Sequence, residues 1–411
     1  MRINIMSVIS VILASFFSYG CGGNNTTPAN QPVDAAQLPP VETKKANSDY
    51  KPASKGQTRV NSVKTVTPYI VEKIAEKLGS PWAVIPMPDG RLLITEKTGF
   101  MLVYDVSGKL VKKITGFPGV DAREQGGLLD VALDPGFAKN KTIYWSFSEK
   151  YGTGNLTAVA KGQLNEAAAK IDNPVVIFRA TPALSSNLHF GSRLVFDKDE
   201  NLFVSAGERS ILEGRKQAQW LNSGLGKIFK ITKEGKPAPG NPFLTQKDAI
   251  PGIYSYGHRN PQSLDIHPAT GELWEAEFGP RGGDELNNIK AGKNYGWPVI
   301  TYGIEYSGEK IGDGIQQQTG MEQPVYYWDP VISPGGMTFY KGNAIPEWTN
   351  NLFIGGLSSQ HIIRLLIENN KVVGEERLLA DKNERFRDVA YSNGMLYAIT
   401  DSGILFRISK K

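Results

Sequence analysis

Only four histidines, His189, His258, His267 and His361, occur in the 411 residues of this chain. None stands in HExxH or HxH spacing, so a local zinc motif is missing. The sequence also lacks a GxSxG elbow and a P-loop, which leaves the familiar hydrolase and nucleotide routes little support. The groups left for chemistry are imidazole, guanidinium and main-chain carbonyl. His189 lies in Ser185-Ser186-Asn187-Leu188-His189-Phe190-Gly191-Ser192-Arg193-Leu194, just before an apolar run. A neutral imidazole on such a loop suits general-base work near pH 7; the competing reading is a histidine satisfied by a loop carbonyl. Arg259 in Gly257-His258-Arg259-Asn260-Pro261, and Arg385 and Arg387 in Glu384-Arg385-Phe386-Arg387-Asp388, stand at or before apolar runs of the same kind. Guanidinium groups converging on one mouth suit a carboxylate-bearing or polyanionic ligand. They serve equally well as salt bridges to Asp388 or Glu384. The stretch Gly279-Pro280-Arg281-Gly282-Gly283-Asp284-Glu285 reads either as a calcium loop, with glycines turning carbonyls inward, or as an acidic surface turn.

The elements that must position these groups are strands. Glycine (44) and proline (25) punctuate the chain throughout, and no long amphipathic helix pattern is present. From residue 68 onward a unit recurs six times: an apolar strand, a Pro/Asp/Gly turn, a second apolar strand, a break and usually a third strand. Ala83-Val84-Ile85 with Leu92-Leu93-Ile94-Thr95-Glu96 opens the series, and Val389-Ala390 with Leu396-Tyr397-Ala398-Ile399 closes it. Each unit leaves a face it cannot bury alone, which predicts radial stacking. The expectation is an all-β, six-bladed propeller with four-stranded antiparallel blades over residues 67–411. Residues 68–78 are expected to complete the last blade, with a lone helix there as the competing reading.

Net charge is +5, but most of the excess lies in the first 66 residues, and the remainder is close to neutral. A nucleic-acid binder would carry a basic body, so that class is set aside. Arg2, a short apolar run over residues 6–17 and Gly20-Cys21 form a secretory signal over residues 1–21, of the lipoprotein type, with the sole cysteine, Cys21, as the lipidated residue. Residues 22–66, poor in aromatics and rich in Asn, Thr, Pro, Ala, Lys and Gln, are expected to form a disordered tether. The protein is thus expected to be exported, periplasmic or at the cell surface, and to meet a membrane only through the lipid anchor.

Six segments, taken together, carry a resemblance. They are Glu124-Gln125-Gly126-Gly127-Leu128-Leu129, His189-Phe190-Gly191-Ser192-Arg193, Gly257-His258-Arg259-Asn260-Pro261-Gln262, Glu277-Phe278-Gly279-Pro280 with Asp284-Glu285, Asn294-Tyr295-Gly296-Trp297-Pro298, and Arg385-Phe386-Arg387-Asp388-Val389. In this order they resemble the soluble quinoprotein glucose/sorbosone dehydrogenase family, close to its aldose sugar dehydrogenase branch. The resemblance implies a propeller that binds pyrroloquinoline quinone (PQQ) and Ca2+. It implies that His189 takes the proton of a sugar C1 hydroxyl as hydride passes to the quinone, giving a lactone, and that a membrane acceptor receives the electrons. It further implies Arg259 at the quinone oxygen, Asn260 and Gln125 lining the cofactor, Arg385 and Arg387 on its carboxylates, and the carbonyls of Gly279 and Pro280 on calcium. Two departures stand out. Ser358 occupies the place of a cofactor-binding lysine, with Arg364 or another residue as substitute. Leu188 precedes the histidine where glucose-oxidising members have an acid, with Asn187 as stand-in. These departures keep open a non-redox calcium-binding propeller, either a lactonase-like hydrolase or a carbohydrate-binding surface lipoprotein. A lactonase would need side-chain carboxylates around its calcium.

Overall fold

The computed structural model describes residues 38–411; the signal segment, Cys21 and the first part of the expected tether lie outside the described residues. Six four-stranded antiparallel sheets make up the body. Their first strands, Pro81–Pro86, Leu128–Leu133, Leu194–Phe196, Pro261–Ile266, Pro334–Phe339 and Phe386–Ser392, stand side by side around an axis, which defines blades 1 to 6. The ring closes as expected. Tyr69–Ala75 is a strand, not a helix, and pairs antiparallel with Leu405–Lys410 as the outer strand of blade 6. In blade 3, Lys227–Ile231 is third of four strands, and Ile253–Tyr256 lies outside it.

The apolar pattern explains why the blades stack. Second strands such as Leu202–Ala206 and Leu352–Gly356 are buried at every position, because both of their faces meet a neighbouring blade. Outer strands such as Leu110–Ile114 are mostly exposed. The core is accordingly divided into six main clusters, one between each pair of adjacent blades.

Polar side chains tie the inner strands together. Asp130 Oδ2 accepts from Leu194 N at 2.6 Å, Asp265 Oδ2 from Phe339 N at 2.8 Å and Asp388 Oδ2 from Val84 N at 2.8 Å, each joining one blade to the next. At the centre, Arg193 Nη1 donates to Asp130 and Asp388 at 3.2 Å each, and its Nε donates to the Gln262 carbonyl at 3.0 Å. Its guanidinium also lies 4.3 Å from the centre of the Trp82 ring. One arginine therefore links side chains or backbone of blades 1, 2, 4 and 6.

The tether expectation needs correction for residues 38–66. This segment lies along blades 4 and 5 as a strap. Asn47 N and Nδ2 both donate to Asp329 Oδ1 at 2.8 Å, Tyr327 N donates to the Gln57 carbonyl at 2.8 Å, and Val63 N donates to the Glu375 carbonyl at 3.0 Å. Thr65 N and Oγ1 each donate to Glu376 at 2.7 Å, and Val60 joins the cluster between blades 4 and 5. Composition misleads here because the strap is held mainly by carboxylates and main chain of the body, with few apolar residues of its own such as Val60. Removing residues 38–66 is expected to lower the urea midpoint of the propeller; an unchanged midpoint would show that these contacts contribute nothing net.

Candidate active site

His189 sits on the loop between blades 2 and 3. Its backbone is left-handed, φ 48°, a conformation unfavourable for a non-glycine residue and common where function dictates geometry. Its N–H donates to Gln125 Oε1 at 2.8 Å, and its Nδ1 meets Glu208 Oε1 at 2.7 Å. With Nδ1 so engaged, Nε2 is the ring nitrogen left for a ligand. Burial, then the nearby positive charge of Arg259, push the imidazole down to about 4 despite the opposing pull of Glu208. The ring is neutral at pH 7. Gly207 keeps the site closed up: a Cβ there would lie 2.3 Å from the His189 carbonyl and 2.7 Å from Asn260 Oδ1.

The Arg259-Asn260 turn rests on Glu277, whose Oε2 accepts from both backbone N–H groups at 2.5 and 3.1 Å. Arg259 Nη1 donates to the carbonyls of Gly279 at 2.8 Å and Phe278 at 3.2 Å, and the guanidinium faces the Trp297 ring at 5.1 Å. Two buried donors here have no partner, Arg259 Nε and Asn260 Nδ2. Unsatisfied buried donors are costly, so they point to a missing acceptor. Gly279 must be glycine, since a Cβ would lie 2.2 Å from the Gly283 carbonyl.

Gln125, Arg385 and Arg387 line a cavity of about 180 Å³ together with Trp82, Lys97, Glu124, Phe190, Phe278 and Leu357. Its charged lining is three cations and one acid. Asn260 stands just behind this wall, accepting from Gly191 N at 3.0 Å and from Gln262 Nε2 at 3.2 Å, both residues of the lining. Arg385 and Arg387 do not bridge to Asp388 or Glu384; both hold Asp401, at 2.9 and 2.8 Å.

Two expectations change. Arg364 is no substitute cation, because it is buried against Glu376 at 2.7 Å and Asn351 at 2.7 Å. Asn187 does not orient His189; its Oδ1 accepts from Asn155 at 3.3 Å. The orienting acid is Glu208, two residues beyond the strand Leu202–Ala206. Its signal was an acid at a strand end, in Gly207-Glu208-Arg209. Elsewhere, His258, Glu275 and Glu277 form a buried group whose ligand atoms lie within 4.8 Å of one another.

A family model described as "Glucose / Sorbosone dehydrogenase" matches residues 78–407. The chain belongs to the glucose/sorbosone dehydrogenase family. A relative within it is the aldose sugar dehydrogenase of Escherichia coli K12, 41% identical over 347 residues, covering 83% of this chain and 93% of that protein. The apo structure of the soluble E. coli aldose sugar dehydrogenase superposes with TM-score 0.79 at 40% identity, covering 84% and 100% of the two chains. The PQQ-bound aldose sugar dehydrogenase of Streptomyces coelicolor superposes with TM-score 0.70 at 27% identity, covering 84% and 99%. Within this family the chain is a sugar dehydrogenase of the quinoprotein type, built as a six-bladed propeller.

For the site itself, Glu208→Gln is expected to lower turnover by ~10²-fold, the scale of a misplaced catalytic group. Because Glu208 pulls the His189 pKa up, its removal moves the acid limb of the pH–rate profile to lower pH. A limb that stays where it was would show that Glu208 only fills space.

Proposed function

We propose that this protein oxidises aldoses at C1 to lactones, using PQQ and Ca2+. The observation that carries this is a neutral, anchored imidazole beside a cavity walled by three cations, with two unpartnered buried donors, Arg259 Nε and Asn260 Nδ2, on the turn that bonds to its lining residues Phe278 and Gln262. Those walls fit a flat ligand with several carboxylates: Arg385 and Arg387 would bind carboxylates, Gln125 and Asn260 would line the ring, and Arg259 Nε is free to reach a quinone oxygen. Calcium would be held by the carbonyls of Gly279 and Pro280, the hard oxygen donors it takes. The Gly279 carbonyl is already turned toward a positive group, Arg259.

When bound, PQQ supplies the hydride acceptor, and calcium supplies Lewis acidity. The chain supplies the rest. His189 Nε2 accepts the proton of the C1 hydroxyl, while Glu208 holds the ring and stabilises the imidazolium that forms. With the base neutral above a pKa of about 4, its working form is lost only as pH falls toward that value. The electrons leave for a membrane acceptor, in keeping with an exported protein anchored through Cys21. The non-redox alternative finds less support, because the cavity offers one side-chain acid, Glu124, against three cations. The test is reconstitution of the protein lacking its signal segment with PQQ and calcium, followed by dye reduction with several aldoses. Failure of every aldose to reduce the dye would sink the reading.

A further inference from the structure

The cavity walls do not balance their own charge. Arg385 and Arg387 share one carboxylate, Asp401. Lys97, the third cation, donates its Nζ only to a main-chain carbonyl, that of Glu124 at 2.5 Å. Among the described residues no carboxylate oxygen comes within salt-bridge distance of it. Its backbone is fixed in the β frame: Lys97 N donates to the Ser80 carbonyl at 3.0 Å, and its own carbonyl accepts from Leu128 N at 3.0 Å, joining blade 1 to blade 2. The side chain therefore springs from a rigid seat and ends at the cavity.

Burial, then repulsion from Arg387, lower the pKa of Lys97 against the opposing pull of Asp401 and Glu124, so the ammonium and that guanidinium feel each other's charge. Two cations facing one enclosed space favour an anion between them. The polar tip that Lys97 uses at present is a neutral carbonyl, a weak counterpart for a partly buried ammonium. An ammonium has three donors, so it can keep the Glu124 carbonyl and still donate to a carboxylate.

We propose that Lys97 is a cofactor-anchoring residue, whose ammonium binds a carboxylate of a planar polycarboxylate ligand from blade 1, across from the arginines of blade 6. This rests on the PQQ reading above. It adds a third, independent cation to the site, from a blade that the six sequence segments leave out.

Equilibrium binding of PQQ to the calcium-loaded protein, read by quenching of tryptophan fluorescence, tests it without turnover. Trp82 in the cavity wall is one reporter. Lys97→Ala is expected to weaken PQQ binding by about 10- to 100-fold, the range of a charge-assisted hydrogen bond. Lys97→Arg, which keeps the charge, is expected to stay within about threefold of wild type. Wild-type affinity should fall as alkaline pH deprotonates Lys97, and the arginine variant should hold its affinity over the same range. Thermal unfolding of the ligand-free variants shows whether each is folded. Should Lys97→Ala misfold, the alkaline loss in wild type and its absence in Lys97→Arg carry the test. If wild type binds PQQ and folded Lys97→Ala binds it equally well, the anchoring role is wrong and the PQQ reading stands. If wild type does not bind PQQ at all, both fall together.

Discussion

Replacing His189 with alanine is expected to lower the turnover of the reconstituted protein by roughly 10²- to 10⁴-fold, the usual contribution of a positioned general base. PQQ affinity should change little, because the cations and amides that face the cavity remain. The physical case has three parts. The ring is neutral at working pH, since burial and Arg259 outweigh Glu208. Its tautomer is set, since Nδ1 faces a carboxylate at 2.7 Å and therefore carries the proton. Its position is held from both sides, by Gln125 on the backbone N–H and by Glu208 on the ring. A histidine that merely filled a loop would need none of these. Stopped-flow reduction of the bound cofactor by sugar, at saturating substrate, isolates the proton-transfer step. Equal rates in wild type and His189→Ala would remove His189 from the mechanism.

The largest effect on stability is expected at Arg193. Changing it to methionine leaves Asp130 and Asp388 facing one another without a counterion, in a site where both are buried. Breaking a buried ion pair by removing one partner costs about 3–5 kcal/mol, and here one arginine serves two acids. The variant also loses the hydrogen bond to the Gln262 carbonyl and the stacking on Trp82. Its pH dependence has a definite sign. Burial raises Asp130 to about 6 and also raises Asp388, even with Arg193 present. Without the guanidinium both rise further, so the folded variant takes up protons more readily than the unfolded chain does. Its deficit should therefore be smaller at pH 5 than at pH 8. Urea unfolding at the two pH values measures this. A deficit that does not depend on pH would mean that lost packing, not uncompensated charge, is the cause.

Much of the fold was legible because propeller blades write themselves locally. The runs around Leu93, Phe203, Phe353 and Leu396 alternate with turn residues whatever lies between them, and the closing role of residues 69–75 followed from a spare strand at the start. The site was legible only where chemistry sits in short segments. His189 and Arg259 announced themselves beside a glycine, in His189-Phe190-Gly191 and Gly257-His258-Arg259, and Arg387 through its paired neighbour Arg385. Glu208 and Lys97 did not, because an acid or a lysine at a strand end is ordinary until the ring brings its neighbours alongside. The strap was misread for a related reason. Its partners, Asp329, Glu347 and Glu376, lie some three hundred residues away in the chain, and no local pattern reports on them. Arg364 was misjudged because sequence shows that a cation exists, not which way it faces.

The outer strand of blade 6 makes the two ends of the propeller answer to each other. As the chain emerges from synthesis, residues 69–75 have no strand partner until residues 405–410 arrive, so the ring is latched only once the final strand of blade 6 is made. Closing so wide a loop is entropically slow, and an open ring leaves the sides of blades 1 and 6 bare. Fraying of Leu405–Lys410 would thus act as more than a local defect. It would release both the first strand and the last, and unlatch the wall from which Arg385 and Arg387 reach the cavity.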